Sequence, residues 1–577
     1  MAKRKAPREK APLDPESEAW NALPWRKFEQ HVYRIQKRIY QARKRDKTRT
    51  VQKLQKLLTK SEAARLLAVR RVTQDNQGKK TAGVDGVKSV APSRRLDLAK
   101  QIHPKHWKEQ KTQPVRRVWI PKPGKKDEQR PLGIPTMLNR SQPALAKMAL
   151  EPEWESMFEP NSYGFRPGRS CQDAIGAIFN AIRYKPKFVF DADIAGCFDH
   201  IRHDALLEKL HTYPAMRQAI KAWLKAGVME NGVYTDTLSG APQGGVISPL
   251  LMNVALHGLE KVIVKDYRRK NRSIEKPILV RYADDLIIFH SDETKLLQAA
   301  EAVKEHLHGM GLEFKPSKTR VSHTLHPHQG NVGFDFLSFT VRQYPVGKNH
   351  SGKNPNGRRL GFKTIITPSK EAIKRHMQDL KRQVRARKSL SQEELIGAIS
   401  PTTKGWSNYY KTSSASVTFS KCDHLLFLQL MQWARHKHPT RGKRWIRRKY
   451  WHQVENRNWV FSTQDGKELR THRKTAIQRY TKVKGEASPY DGNMLYWSKR
   501  LKDHPMLSGT VGKLLQKQQG QCRWCQLSFR DGDILEIDHI QPRSMGGSEK
   551  IDNKCVLHRH CHDARHAKDA AMGVNHK

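Results

Sequence analysis

Ile278-Leu-Val-Arg-Tyr-Ala-Asp-Asp-Leu-Ile-Ile-Phe289 sets two adjacent acids between two short apolar runs. Runs of this length, rich in Ile, Leu and Val, read as strands. Neighbouring carboxylates between buried strands repel each other and lose solvation. A hairpin that presents Asp284 and Asp285 to a divalent cation removes that difficulty. The stretch Lys187-Phe-Val-Phe-Asp-Ala-Asp-Ile-Ala-Gly-Cys-Phe-Asp199 repeats the pattern, an apolar strand running into acids, with Asp193 at its end. Two-metal phosphoryl transfer needs carboxylates converging from separate strands, with the ions roughly 3.5–4 Å apart. Mg²⁺ prefers a few carboxylates plus substrate phosphates to a full protein cage. Asp193, Asp284 and Asp285 meet that need.

The surrounding composition names the class of substrate. The 577 residues carry 108 Lys and Arg against 55 Asp and Glu, a formal charge of +53. So large an excess calls for an anionic partner. The charge is spread along the chain and interleaved with aromatics, which favours nucleic acid over a membrane surface. No apolar stretch approaches the roughly 18 residues needed to span a bilayer. The start, Met1-Ala-Lys-Arg-Lys, has no apolar region behind it, so no secretory signal is expected. Seven cysteines in this length make no disulfide framework and fit a reducing compartment.

Outward from the acids, the chain divides into six parts. Residues 1–95 read as a basic helical extension, with Val32, Ile35 and Ile39, then Val51, Leu54, Leu57 and Leu58, at helical spacing. The basic run Lys37–Arg49 within it reads equally as a solvated face or an RNA-contacting helix. Residues 96–345 alternate short strands with helices, an α+β pattern. The Gly-, Asn- and Lys-rich stretch 346–363 reads as a linker. Residues 364–440 are mainly helical, with Trp406, Tyr409, Tyr410, Phe419, Leu425, Leu426, Leu428 and Trp433 as core. Residues 441–506 follow as a basic aromatic region for binding DNA. Within it, 441–484 hold 14 Lys and Arg against 3 acids. Basic residues alternating with aromatics suit gripping phosphates and stacking on bases, although some of these rings belong to a core. Residues 507–577 are a separate small module.

That module opens with Cys522-Arg-Trp-Cys525 and later carries His558-Arg-His-Cys561. Two pairs, each with a two-residue gap, close a tetrahedral structural zinc site. Cys555 is a rival fourth ligand. His558 is preferred, because a closely spaced pair bites one ion easily and Cys555 sits in an apolar strand.

The ordered blocks of the chain resemble a group II intron-encoded protein, a reverse transcriptase and maturase. Val115-Arg-Arg-Val-Trp-Ile-Pro-Lys-Pro123 and Arg130-Pro-Leu-Gly-Ile-Pro-Thr136 resemble its fingers. Tyr163-Gly-Phe-Arg-Pro-Gly168 resembles its next block, Gly240-Ala-Pro-Gln-Gly-Gly-Val-Ile-Ser-Pro249 its nucleotide block, and Tyr282-Ala-Asp-Asp285 its second palm motif. Gly311–Thr319 and Phe334–Phe339 resemble the last two blocks. The resemblance implies a multidomain α+β fold, with right-hand polymerase fingers and palm, a helical thumb and maturase domain, and a small ββα-metal module at the end. It implies two Mg²⁺ ions held by Asp193 and Asp284 with help from Asp285. Phe198 would exclude a 2′-hydroxyl, Gln243 would touch nucleotide or template, and Lys122, Arg130 and Lys318 would contact triphosphate or backbone. Asp191 and Asp199 read as hydrogen-bonding or solvated acids.

Glu536-Ile-Asp-His-Ile-Gln-Pro542, with Asn553 and Cys561-His562, resembles the HNH nucleases. That likeness implies His539 as the general base, Asp538 and His562 as ligands of a catalytic divalent ion, His566 as a third ligand, and Asn553 as the residue orienting His539. The implied partners are a group II intron RNA, an RNA template with its primer, dNTPs and target duplex DNA, with no membrane. The implied setting is a ribonucleoprotein in the cytoplasm of a bacterium or in an organelle of bacterial descent.

Overall fold

The computed structural model describes residues 15–121, 128–265, 275–501, 504–505, 509–529 and 533–571. Helix Trp25–Lys44 buries Val32, Ile35 and Ile39 along one face. Helix Thr48–Lys60 buries Val51, Leu54 and Leu58. Leu57, expected with them, is 49% exposed, because it lies about 100° round the helix from Leu58. Both helices cover Met137–Glu155, which is buried on nearly every side. Gln36 Nε2 donates to the Met148 carbonyl at 2.9 Å, and Gln55 Nε2 to Glu153 at 2.6 Å. From Pro15 onward the expected extension is therefore part of the largest apolar core. The Met137–Glu155 helix buries polar side chains such as Asn139, Arg140 and Glu153 along with its apolar ones, and the N-terminal helices complete that burial while pairing Glu153.

Strands β1 (Val115–Pro121) and β2 (Gln129–Ile134) pair, and β3 (Phe188–Asp193) begins a second sheet. Strands β4 (Val228–Glu230) and β5 (Val233–Thr235) return to the first, giving the order β2-β1-β4-β5. Strands β6 (Ile278–Tyr282), β7 (Asp285–His290) and β8 (Arg320–His323) complete the second sheet, ordered β6-β7-β3-β8 and antiparallel throughout. Along β7, Leu286 and Ile288 enter one core while Ile287 and Phe289 enter another. Successive side chains point to opposite faces and both faces are covered, which is why the run after Asp285 is continuously apolar.

Strands β9 (Phe334–Phe336), β10 (Phe339–Pro345) and β11 (Phe362–Pro368) form a third sheet, with β10 and β11 paired along their whole length. The stretch 346–363, expected as a linker, is mostly the loop of that hairpin. A long hairpin loop and a linker have the same polar, Gly-rich composition, and only the pairing of the flanks separates them. Helices Lys370–Arg385, Gln392–Tyr410 and Ser416–Lys437 follow. Tyr410, Phe419, Leu426 and Trp433 are buried, whereas Leu428 is 45% exposed. Trp406 stacks on buried His376 at 4.4 Å. His376 Nε2 meets His472 Nε2 at 2.7 Å, and His472 Nδ1 meets Asp423 Oδ1 at 2.7 Å, a polar pin through this unit.

The region 441–506 is not a separate body. Ile446 and Tyr450 of helix Lys443–Tyr450, Trp451 of β12 (Trp451–Val454) and Phe461 of β13 (Arg457–Phe461) share one core with Leu395, Leu426 and Trp433. Trp445 and Trp459 remain partly open. Arg441 and Lys449 lie 5.3 and 5.0 Å from the Trp445 ring, and Arg447 lies 5.0 Å from that of Trp459.

The chain then straps back over the carboxylate-bearing body. Asp173 accepts from the Val483 amide at 2.6 Å and from Arg500 at 2.8 Å, and Tyr33 donates to the Pro489 carbonyl at 2.8 Å. Trp497, on helix Met494–Arg500, is fully buried against Gly168, where a Cβ would come within 2.6 Å of its ring. On the same helix, Met494 and Leu495 pack against Val511, Leu514, Leu515 and Val556 of the last module. That module is the antiparallel pair β14 (Leu535–His539) and β15 (Lys554–His558), followed by helix Arg559–Ala571. Trp497→Ala should cost about 3–5 kcal/mol of local stability, the usual size for a large buried aromatic. Limited proteolysis should then cut within 480–505 and release the last module; an unchanged digest would show that the tryptophan does not anchor the strap.

Candidate functional site

The apolar strands β3 and β7 carry the acids to one edge of the second sheet, with Asp193 opposite Asp285. Between Tyr282 and its partner Asp285 only Ala283 and Asp284 remain, a two-residue turn in which Ala283 has φ 58°. A left-handed alanine is unfavourable by roughly 1–2 kcal/mol, so the turn is held by its surroundings. Asp193, Asp284 and Asp285 line one cavity of about 1750 Å³, together with Arg130, Phe198, Gln243 and Lys318. Lys122 lies outside the described residues.

Burial, and then the neighbouring acids, push the carboxyls of Asp284 and Asp285 above the usual range. Three acids in one desolvated space repel one another when ionised, a cation relieves that repulsion, and the donor set fits Mg²⁺. In this structure Lys318 Nζ meets Asp193 Oδ2 at 2.5 Å. Burial works against the Lys318 charge, but the bond to Asp193 and the nearby acids raise its pKa. Asp191 lies two strand positions before Asp193, opposite Arg320 on β8, and burial raises its carboxyl to about 7. Asp199 accepts from Gln243 Nε2 at 3.1 Å on both oxygens, so Gln243 is tied to an acid beside the cavity.

The Gly240–Gly245 loop needs its glycines. Gly240 has φ 85°, and a Cβ there would lie 2.6 Å from the Phe198 and Asp199 carbonyls. Ala241 N donates to the Phe198 carbonyl at 2.6 Å. This close approach brings Gln243 and Phe198 to the same wall. Two residues at and behind the cavity lie within the quoted motifs without a role assigned from them. Phe165 has φ 58° and is 55% exposed at the wall. Arg281, immediately before Tyr282, is buried behind the turn.

Among the described residues, the groups whose ligand atoms all lie within 4.8 Å are both in the C-terminal module. The first is Cys522, Cys525, His558 and Cys561. Cys525 Sγ lies 3.4 Å and Cys561 Sγ 3.9 Å from His558 Nδ1. Cys555 packs beside them but is not one of the four; it pairs with Asp538 across the ladder, and burial pushes its thiol up to about 11. Three thiols and an imidazole suit a structural zinc ion. The second group is Asp538, His562 and His566. The His562 and His566 rings, one helical turn apart, have centroids 4.0 Å from each other. Arg565 donates to Asp538 Oδ2 at 2.8 Å and fixes the carboxylate. A carboxylate and two imidazoles form a harder set that suits a catalytic divalent ion.

His539 stands beside Asp538, with Nε2 3.4 Å from Glu549. Asn553, expected to orient His539, makes its side-chain bonds to the loop after His539. Its side chain accepts from Gln541 N at 2.9 Å and donates to the Gln541 and Ser548 carbonyls at 3.0 and 2.9 Å. It closes the loop that joins β14 to β15, one residue before β15 begins, and so acts on the backbone that follows His539.

Residues 120–344 match the reverse transcriptase (RNA-dependent DNA polymerase) family, and residues 20–102 match the N-terminal domain of reverse transcriptase. Residues 373–451 match the group II intron maturase-specific domain, and residues 522–568 match the HNH endonuclease family. The chain is 29% identical to group II intron-encoded protein LtrA of Lactococcus lactis subsp. cremoris over 388 residues, 55% of this chain and 63% of that one. It is 32% identical to protein YkfC of Escherichia coli (strain K12) over 330 residues, 51% of this chain and 83% of that one. The chain thus spans somewhat under two thirds of LtrA and most of YkfC. With four domain families in this order around the carboxylate cavity and the two ligand groups, the chain belongs to the group II intron-encoded reverse transcriptase and maturase proteins, with a C-terminal HNH endonuclease domain.

Proposed function

We propose that the protein is the RNA-directed DNA polymerase of a mobile group II intron. In this reading it also binds its intron RNA, assists its splicing, and nicks target DNA through the HNH module to prime synthesis. The observation that carries the reading is the meeting of Asp193, Asp284 and Asp285 at one cavity with Phe198 and Gln243 on its wall. The second sheet is the palm, the sheet carrying β1 and β2 belongs to the fingers, and the three-helix unit is the thumb and maturase domain.

Asp193 and Asp284 hold Mg²⁺ and Asp285 assists. When bound, the two ions stabilise the triphosphate and the attacking 3′-hydroxyl. Lys318, which bonds Asp193 in this structure, would give that carboxylate up to a bound metal and contact phosphate. Arg130 contributes positive charge to the same space. In the last module Cys522, Cys525, His558 and Cys561 hold zinc, and Asp538, His562 and His566 hold a catalytic divalent ion. His539 takes the proton of the attacking water. The exposed Trp445 and Trp459 with their cations suit stacking on bases beside phosphate. No helix among the described residues is long and apolar enough to cross a membrane. The working form is a cytoplasmic ribonucleoprotein. The test is incubation of the purified protein and its intron RNA with target duplex, dNTPs and Mg²⁺. A nick followed by cDNA joined to the nicked strand is expected, and joined cDNA absent at every target tried would remove the reading.

Phe198 supplies a separate prediction. It is half-buried at the cavity wall, its backbone fixed by Ala241. Phe198→Ala should open space for a 2′-hydroxyl and lower the preference for dNTP over rNTP by about ten- to a hundredfold, the range for a change of a few methylenes. Single-nucleotide incorporation with dGTP and GTP reads the ratio; a ratio equal to wild type would leave Phe198 a packing residue.

A further inference from the structure

Behind the Asp284–Asp285 turn lies a bracket that no cavity-lining residue provides. The Arg281 side chain is 1% exposed. Its Nη1 donates to Asn253 Oδ1 at 2.9 Å and to the Ala283 carbonyl at 3.0 Å, and its Nη2 donates to Ser162 Oγ at 2.7 Å. All three acceptors are neutral, and the charge is offset through space by the buried Glu159 carboxylate, which is not one of those acceptors. Even so offset, burying a guanidinium is unfavourable compared with an apolar side chain of similar size. Its position therefore has to be read from what it holds.

What it holds is the backbone of the turn. Ala283 carries the left-handed φ, and Arg281 reaches forward two residues to its carbonyl. The chain on the other side presses in equally closely. The Tyr163 amide donates to the Arg281 carbonyl at 2.9 Å, and the Arg281 amide to the Asn161 carbonyl at 2.9 Å. A Cβ on Gly164 would lie 2.3 Å from Ala283 N, so the two backbones touch. Asn253 Nδ2 donates to the Gly164 carbonyl at 2.9 Å, and Asn253 thus links Arg281 to the segment that abuts Ala283. Asn253 stands on helix Ser248–Ala255, directly after the loop that carries Gln243. One guanidinium ties the turn, the 161–164 segment and the helix behind the nucleotide loop.

We propose that Arg281 is a positioning residue for polymerisation. Through the Ala283 carbonyl, with Asn253 and Ser162 as its anchors, it keeps the turn left-handed and so sets the direction in which Asp284 and Asp285 face the cavity. The proposal rests on the polymerase reading above. Without the bracket the turn samples other conformations, and the acids must be gathered by the metal itself. The deficit is therefore in metal use and turnover, and not in binding of template and primer, which depends on the positive surface.

The experiment is primer extension by the full-length protein on a preannealed RNA template and DNA primer, with Mg²⁺ and dNTP titrated separately. Arg281→Met should lower kcat by about ten- to a hundredfold, the loss expected for a misplaced catalytic group. It should also raise the Mg²⁺ concentration for half-maximal rate several-fold. The KM for dNTP and the template–primer affinity should stay within about twofold of wild type. Arg281→Lys should recover part of the rate, since one ammonium reaches fewer of the acceptors. Glycine adopts the left-handed conformation freely, so in an Ala283→Gly background the Arg281→Met substitution should cost much less. Should Arg281→Met fail to fold, Asn253→Ala carries the test, with the same direction and a smaller size. An equal loss in the wild-type and Ala283→Gly backgrounds, with no change in Mg²⁺ dependence, would make Arg281 a packing residue and overturn the proposal. A wild-type protein no more active than Asp284→Asn would instead overturn the polymerase reading, and this proposal with it.

Discussion

Asp284→Asn should lower Mg²⁺-dependent DNA synthesis on an RNA template by roughly a thousandfold, the scale of losing a preorganised charge at the reacting centre. The substitution keeps the shape of the side chain. It removes one negative charge from a cavity where burial and neighbouring acids already lift the carboxyls above their ordinary range. Folding should therefore be preserved or improved, because the variant relieves repulsion. Asp285→Asn should act in the same direction. RNA binding should survive in both, since affinity comes from the broad excess of Lys and Arg and not from the acid cluster. For the same reason Asp284→Asn should still promote splicing of its own intron at low Mg²⁺. cDNA yield, filter binding and a splicing time course on one preparation separate the three activities. Wild-type cDNA from Asp284→Asn would remove Asp284 from the metal site, and intact RNA binding without splicing would tie the two functions together.

The second large effect divides the C-terminal module into two metal sites that fail differently. Cys525→Ser should unfold the module, because a structural zinc in a small domain supplies about 10–16 kcal/mol of apparent binding free energy, and that is folding free energy. The module's own apolar cluster is small and leans on Leu495 of the strap. Nicking should disappear while copying of RNA on a preannealed primer continues, since the carboxylate-bearing body has its own cores. His539→Ala should keep zinc and fold, because His539 is in neither ligand group. It should reduce nicking alone, by about a hundred- to ten-thousandfold, the usual contribution of a general base. Zinc content, limited proteolysis and cleavage of a target duplex distinguish the variants. A folded, zinc-loaded His539→Ala protein that nicks at the wild-type rate would leave the module a DNA-binding finger. A chelator strong enough to strip zinc should reproduce the Cys525→Ser digest.

The acids and the ligand pairs were legible in the sequence because each breaks a local rule. Asp284-Asp285 is charged where the flanking strands are apolar, and Asp193 ends such a strand. Cys522–Cys525 and His558–Cys561 show the short spacing that one tetrahedral ion requires. Each of these signals is confined to a few residues, and chemistry alone interprets it. The tertiary structure decided everything that depends on distant segments. Residues 346–363 became a hairpin loop only because Phe362–Pro368 pairs back on Phe339–Pro345. Tyr450, Trp451 and Phe461 became core only because helices Lys370–Arg385, Gln392–Tyr410 and Ser416–Lys437 covered them, while Trp445 and Trp459 stayed partly open. The bonds of Asn553 to the backbone of Gln541 and Ser548 depend on how the loop folds back, which spacing along the chain does not report. Arg281 also stands as a charge inside an apolar run, but nothing in the sequence signals what it holds, since its acceptors Asn253 and Ser162 are 28 and 119 positions away. Periodicity and spacing report what a residue does within its own element, where geometry is set by the backbone. Which side chains share a buried space is set by packing between elements, and that information exists only once the chain has closed on itself.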